Sequence, residues 1–241
     1  MRKELNMAKY KRVLIKLSGE ALGDHGRLFD FEQIDRVAGV IGRLHETGTE
    51  IAIVIGAGNF WRGVKDGAGK VERVSADKMG MLGTAMNCLA VADVFRRIGA
   101  AAEIQTAIDI QGVGERYNTA VAVRKLEEGS IVLFGCGTGC PFFSTDTAAV
   151  LRAAEIGADA ILLAKNIDGV YSADPRLDPT AVKFDSISYD EVLARRLAVM
   201  DSTATSLAMD NSIPVIVFAL ADPDNIVKVL CGENVGTTVT K

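Results

Sequence analysis

The chain has 241 residues, enough for one large domain or two small ones, with 49% hydrophobic but only 6% aromatic residues. That composition suits a core of Val, Ile, Leu and Ala, as in parallel sheets covered by helices on both faces. The formal net charge is −4 and Lys and Arg are scattered rather than striped, which argues against nucleic acid as the main ligand.

No apolar run approaches the ~20 residues that span a bilayer. The charged start at Met1, Arg2 and Lys3 leads into no apolar segment. No signal peptide is therefore expected, and a cytoplasmic location is.

Val13-Leu14-Ile15 reads as the first strand, followed by a helix in which Ile34, Val37, Ile41 and Leu44 recur at helical spacing. Ile51-Ala52-Ile53-Val54-Ile55 shows no alternation and reads as a fully buried strand. A long helix is predicted over 76–98, capped by Ser75. Its Met79, Leu82, Met86, Leu89, Val94 and Ile98 form a stripe, with Met81, Val91 and Phe95 beside it. A helix apolar over more than one face has to be covered on several sides, by the core or by another subunit. Then come a strand over 102–106, a helix over 119–126, a strand over 131–134, a helix over 147–156 and a strand over 160–163. A capping box, Ser188-x-x-Glu191, precedes a helix near 203–211 and a strand over 214–218. The last helix starts after Asp222-Pro223, where proline suits a first turn.

This alternation predicts right-handed crossovers and a mainly parallel sheet. With no linker, low-complexity segment or repeat, the chain reads as a single three-layer α/β/α domain with two lobes meeting near residue 160. Its cysteines stand at 88, 136, 140 and 231. Cys136 and Cys140 are close enough to be a metal pair, but zinc requires four ligands, and the histidines, His25 and His45, are distant in sequence. Reduced, structural cysteines are the expected reading, and no protein-held metal is expected.

Three glycine-rich turns follow strands: Lys16-Leu17-Ser18-Gly19-Glu20, Gly56-Ala57-Gly58-Asn59 and Gly135-Cys136-Gly137-Thr138-Gly139. At the carboxyl ends of strands, such turns let backbone N–H groups approach a phosphate closely. None matches a P-loop or the dinucleotide fingerprint. Lys16, at the end of a buried strand, is either a snorkelling strand-end lysine or a fixed ammonium that neutralises a transferring phosphoryl group. Arg62 is a solvated loop residue or a bidentate phosphate clamp. Asp146 opens a helix, where an aspartate commonly serves as a cap, yet Thr138, Ser144 and Thr145 beside it give the loop a pocket's composition. The stretch from Asp168 to Pro175 could hold a base and ribose or be a solvated turn. Together these residues point to a kinase of a small metabolite.

The set Lys16-Leu-Ser-Gly-Glu, Gly56-x-Gly-Asn-x-x-Arg62-Gly, Asp77-x-Met-Gly-Met81, Thr138-Gly-x-Pro-Phe-Phe-Ser-Thr-Asp146 and Asp168-Gly-Val-Tyr-x-x-Asp174-Pro resembles the bacterial uridylate (UMP) kinases of the amino acid kinase superfamily. Val199-Met200-Asp201 matches as well, so the likeness runs from about residue 10 to the C-terminus. It implies transfer of the γ-phosphate of ATP to UMP, with Lys16, Arg62, Asp146 and Asp201 as catalytic residues. By the same likeness Lys16, Leu17, Ser18, Gly19, Gly58, Arg62, Asn166, Tyr171 and Asp174 would bind ATP. Ala57, Asp77, Thr138, Gly139, Cys140, Pro141, Phe142, Phe143, Ser144 and Thr145 would bind UMP, Asp77 through the ribose. Residues 10–160 would form the acceptor lobe and 160–241 the donor lobe. The resemblance further implies Mg2+ arriving with ATP, a homohexamer, GTP as activator and UTP as inhibitor.

The chain departs from that family at Ala57, where glycine is usual, and at Cys140, where asparagine is usual. Two other readings share parts of the pattern. Superfamily kinases of small carboxylates have the Lys and Gly turns but lack the Asp77 and Pro-Phe-Phe motifs. Oxyanion-storage proteins have the fold without the transfer chemistry, and would be expected to lose Lys16 or the ATP loop.

Overall fold

Strand β1, Arg12–Leu17, sits at the middle of a nine-stranded sheet in the computed structural model, which describes residues 9–23, 27–61 and 69–241. The other strands are β2 (Glu50–Ile55), β3 (Ala102–Thr106), β4 (Glu115–Arg116), β5 (Ile131–Gly135), β6 (Ala160–Lys165), β7 (Ser186–Ser188), β8 (Val215–Ala219) and β9 (Thr237–Thr240). Their order is β4-β3-β5-β2-β1-β6-β8-β9-β7, and every pairing is parallel except that of β8 with β9. The mainly parallel α/β sheet agrees with the strand–helix alternation in the sequence.

The strands are continuous apolar runs because both faces are covered. From β1, Val13, Ile15 and Leu17 enter one core, together with residues of α1 (Phe31–His45), α2 (Arg73–Arg97) and α7 (Asn225–Leu230). Leu14 points to the opposite core, built with α3 (Thr119–Glu127), α4 (Thr145–Ile156), α5 (Tyr189–Ala194) and α6 (Ser202–Asp210). The two-residue period of a strand therefore aims Lys16, two on from Leu14, toward the α4 side.

One charged pair is built into the sheet's amino end. Glu50 is 8% exposed, and its carboxylate meets Arg12 Nε at 2.5 Å and Lys11 Nζ at 3.1 Å. Burial pushes its pKa up, but the hydrogen bonds and charges of Arg12 and Lys11 outweigh this and hold it below the usual value.

Helix α2 differs from its expected form. It begins at Arg73, with Glu72 in the cap position and no side-chain capping bond, so Ser75 lies inside the helix and caps nothing. Ala76, Met81, Ala85, Cys88, Val91, Ala92, Val94 and Phe95 are buried, whereas Met79, Leu82, Met86, Leu89 and Ile98 are exposed. The chain's own core thus covers one face of the helix and leaves an apolar seam outside.

Three strands carry no clear periodic signal. β4 has two residues, and β7 (Ser-Ile-Ser) and β9 (Thr-Thr-Val-Thr) are short and polar; β4 and β7 are the two edges of the sheet, where such strands are usual. Ser188 does cap α5, accepting from Glu191 N at 3.1 Å, but Glu191 pairs with Arg195 at 2.6 Å instead of closing the box. Among the described residues no helix is long and apolar enough to cross a membrane.

Candidate active site

The order of strands reverses between β1 and β6, and open α/β sheets bind ligands outside the carboxyl ends of strands at such a switch point. Here β1 delivers Lys16, β6 delivers Lys165, and the turns after β1, β2 and β5 converge. Two clefts open at this edge. One, about 300 Å³, is lined by Gly56, Ala57, Gly58, Asp77, Thr138, Phe143, Ser144 and Thr145 among others. The second, about 650 Å³, lies between residues 165–176 and 195–199 and includes Asn166, Tyr171 and Asp174. Lys16 and Ser18 line both.

Charge is concentrated where the clefts meet. Lys16 Nζ stands 2.7 Å from Asp146 Oδ1, yet off the hydrogen-bonding angle, so this buried oxygen takes no hydrogen bond. Lys165 Nζ donates to Val199 O. Burial lowers the Lys165 pKa and nearby Lys16 adds to that, against the opposing charges of Asp146 and Asp201. A pair of ammonium groups with carboxylates at hand, in a partly dry recess, is suited to holding and polarising an anion.

Two helix amino ends are tied to the same carboxylate. Asp201 caps α6, accepting from Ala204 N at 2.9 Å, and also accepts from Thr147 Oγ1 at 3.0 Å and from Ser144 Oγ. Ser144 in turn caps α4, accepting from Asp146 N at 3.0 Å and Thr147 N at 3.1 Å. The amino end of α4 therefore lines the smaller cleft, and helix amino ends attract anions.

The turns are packed against one another. A Cβ on Gly19 would lie 2.3 Å from Gly56 O, 2.6 Å from Gly58 N and 2.7 Å from Asn59 Oδ1, so only glycine lets the first turn rest on the second. After β5 the loop is tightly wound, with Cys136 at φ 66° and Phe142 at φ 71°. Thr84 on α2 fixes its start, accepting from Cys136 N at 2.7 Å. Asp77 fixes its end, accepting from Phe142 N at 2.7 Å while it also binds Arg73 Nε.

Several expected site residues take a different place. Leu17 is fully buried in the core, leaving only its backbone at the turn, where its carbonyl accepts from Gly56 N. Phe142, expected as an apolar wall, is 65% exposed and lies outside the cleft, with Arg73 5.2 Å from its ring; only Phe143 lines it. Gly139, Cys140 and Pro141 belong to the outer part of that loop, off the cleft's lining. Asp174 does line the larger cleft, but it is gripped by Arg176 at 2.7 Å, which holds its carboxyl down to about 2. Arg62 and His25 lie outside the described residues. Cys136 is buried and Cys140 exposed, and among the described residues no group of three His, Cys, Asp or Glu stands ready for a metal.

The lining also includes residues the sequence did not single out. Trp61 and Thr84 join the smaller cleft; Arg195 and Arg196 join the larger. Trp61, the only tryptophan, beside a glycine turn, was the one visible cue.

Residues 11–219 match the model of the amino acid kinase family. A uridylate kinase from Pediococcus pentosaceus is 52% identical over 237 residues, covering 98% of each chain. Among solved structures, a UMP kinase from Bacillus anthracis superposes with a TM-score of 0.93 at 39% identity, covering 96% of each chain. One from Ureaplasma parvum gives 0.91 at 34% identity, over 96% of this chain and 99% of that one. With its motifs, its reversed strand order and these full-length likenesses, the chain belongs to the amino acid kinase family, in the group that holds the uridylate kinases.

Proposed function

We propose that this chain transfers the γ-phosphate of ATP to UMP, giving UDP, by direct in-line displacement. The observation that carries the reading is the sharing of Lys16 and Ser18 by two clefts. With UMP in the smaller cleft and ATP in the larger, acceptor and donor phosphates meet beside one ammonium. The reaction then needs little covalent help: positioning and charge neutralisation supply most of the acceleration. Lys16 and Lys165 neutralise developing charge, Asp146 orients Lys16, and Asp201 fixes the amino ends of α4 and α6. Arg62 adds a bidentate grip on phosphate. The acceptor lobe takes residues 10–160 and the donor lobe 160–241.

Mg2+ fits as a passenger of the triphosphate. Among the described residues no group of three His, Cys, Asp or Glu forms a cage for it, while the Asp146 carboxylate, ion-paired with Lys16, stands at the junction where a triphosphate-bound Mg2+ would arrive. The same reading makes the protein a cytoplasmic homohexamer with GTP and UTP as effectors.

Acceptor choice tests the reading. Uracil offers an N3–H donor between two carbonyls, and cytosine replaces one carbonyl with an amino group. A buried mispaired group costs about 1–3 kcal/mol, roughly 5- to 150-fold in kcat/KM. Steady-state rates with UMP, CMP, dUMP and AMP should rank UMP first, and Asp77→Asn should narrow the gap between UMP and dUMP. Comparable values for UMP and CMP would remove the uracil specificity; no turnover with any nucleotide would remove the kinase.

The assembly has its own support. Met79, Leu82, Met86 and Leu89 follow a 3-4-3 spacing on the outside of α2, the pattern of a helix–helix seam. Met86→Glu with Leu89→Glu should split the assembly while the monomer keeps its fold, because neither side chain belongs to the core. Light scattering that finds the unaltered chain monomeric at micromolar concentration would end this part of the proposal.

A further inference from the structure

An asparagine in the middle of a helix, with none of its surface exposed, requires an explanation, because a buried amide is costly unless its hydrogen bonds are made. Asn87 on α2 is such a residue. All its described bonds go to the turn after β2. Its Nδ2 donates to Gly56 O at 2.7 Å and to Asn59 Oδ1 at 2.9 Å, and its Oδ1 accepts from Asn59 Nδ2 at 2.9 Å. Asn59 Nδ2 donates further to Leu28 O at 2.8 Å.

We infer that Asn87 is a positioning residue for phosphoryl transfer, clamping the 56–59 turn so that its carbonyls are drawn away from the bound phosphates. The proposal rests on the kinase reading above and adds to it a residue that no motif marked. A carbonyl aimed at a phosphate repels it, whereas the amide N–H groups of the same turn attract it. The first two carbonyls of this turn are engaged inside the protein: Gly56 O by Asn87, and Ala57 O by Phe60 N and Trp61 N, both at 2.9 Å. Gly19 rests on the same backbone, so a slip of the 56–59 turn would also shift the turn that follows Lys16.

The side-chain chemistry is specific. Aspartate has no donor for Gly56 O and would set a carboxylate against that carbonyl. Glutamine is one methylene longer and would press the turn outward in a close-packed site. Asparagine alone supplies a donor for the carbonyl and a matched donor–acceptor pair for Asn59 at this reach.

The test combines UDP-forming rates over a grid of UMP and MgATP with amide hydrogen exchange of the unaltered chain, Asn87→Leu and Asn87→Ser; the serine variant avoids overpacking should the leucine variant not fold. The expected result is a kcat about 10- to 100-fold lower, with the KM of both nucleotides held within about threefold. Exchange should accelerate selectively at Gly56, Phe60 and Trp61, whose amides are bonded within and beside this turn, while β2 and β5 keep their protection. A kcat within about twofold of the unaltered chain, or exchange that rises evenly across the molecule, overturns the proposal. If the unaltered chain forms no UDP from UMP, the kinase reading fails separately, and the exchange pattern alone decides whether Asn87 clamps the turn.

Discussion

Lys16→Met is expected to lower kcat by about two to four orders of magnitude, the loss typical of one preorganised electrostatic contact. The ammonium sits where the two clefts meet, 2.7 Å from Asp146. It acts most strongly on charge that develops during transfer, so the affinity for UMP should stay within about threefold. Methionine keeps most of the apolar stem and lacks only the ammonium, which preserves packing at the end of β1. Removing the charge leaves the Asp146 carboxylate without its counter-ion, so a loss of about 1–3 kcal/mol of stability is also expected and is read from the melting temperature. The decisive comparison is single-turnover transfer at saturating nucleotides. Near-normal turnover there would reduce Lys16 to a strand-end residue.

The second large effect is expected at a position with no side chain. Gly19→Ala adds one methyl that meets Gly56 O at 2.3 Å and Gly58 N at 2.6 Å, both backbone atoms that cannot rotate aside. The two turns must separate by about an ångström, and a displacement of that size in a transfer site costs on the order of 100-fold in rate. Gly39→Ala serves as the control. That glycine lies within α1, where an added Cβ has only the flexible Arg43 side chain nearby, at 4.0 Å. It should keep full activity and gain about 0.5–1 kcal/mol, since alanine favours a helix over glycine. Equal activities of the two variants would show that the contact between turns carries no catalytic weight.

Much of this site was legible because strand-end glycines and the lysine that precedes them are local signals. β1, β2, β5 and β6 announce themselves as unbroken apolar runs, and the residues right after them are the ones that line the clefts. What stayed hidden depends on contacts across the fold. Nothing near Asn87 in sequence says that its amide reaches a turn 31 residues away. The outward turn of Phe142 follows from a positive φ in a loop whose neighbours are not glycines, and apolar character alone suggested the opposite. For α2, periodicity identified the apolar positions but not which of them the chain's own core would cover, because Met79 and Met81 are equally hydrophobic. The short strands β7 and β9 gave too brief and polar a pattern for a period of two to register.

The shared sheet constrains how the molecule can move. β1 and β6 pair along five residues at the strand-order reversal, so the first and second halves of the chain are joined by backbone hydrogen bonds rather than by a linker. At the carboxyl edge Asp201, from the second half, holds Ser144 and Thr147 of the first. A hinge rotation of one half against the other would have to break the ladder and this latch together. Closure about a flexible waist would therefore have to strain paired strands and not a linker. Substrate-driven motion is expected in the surface loops instead, on the faster timescale of loop rearrangement.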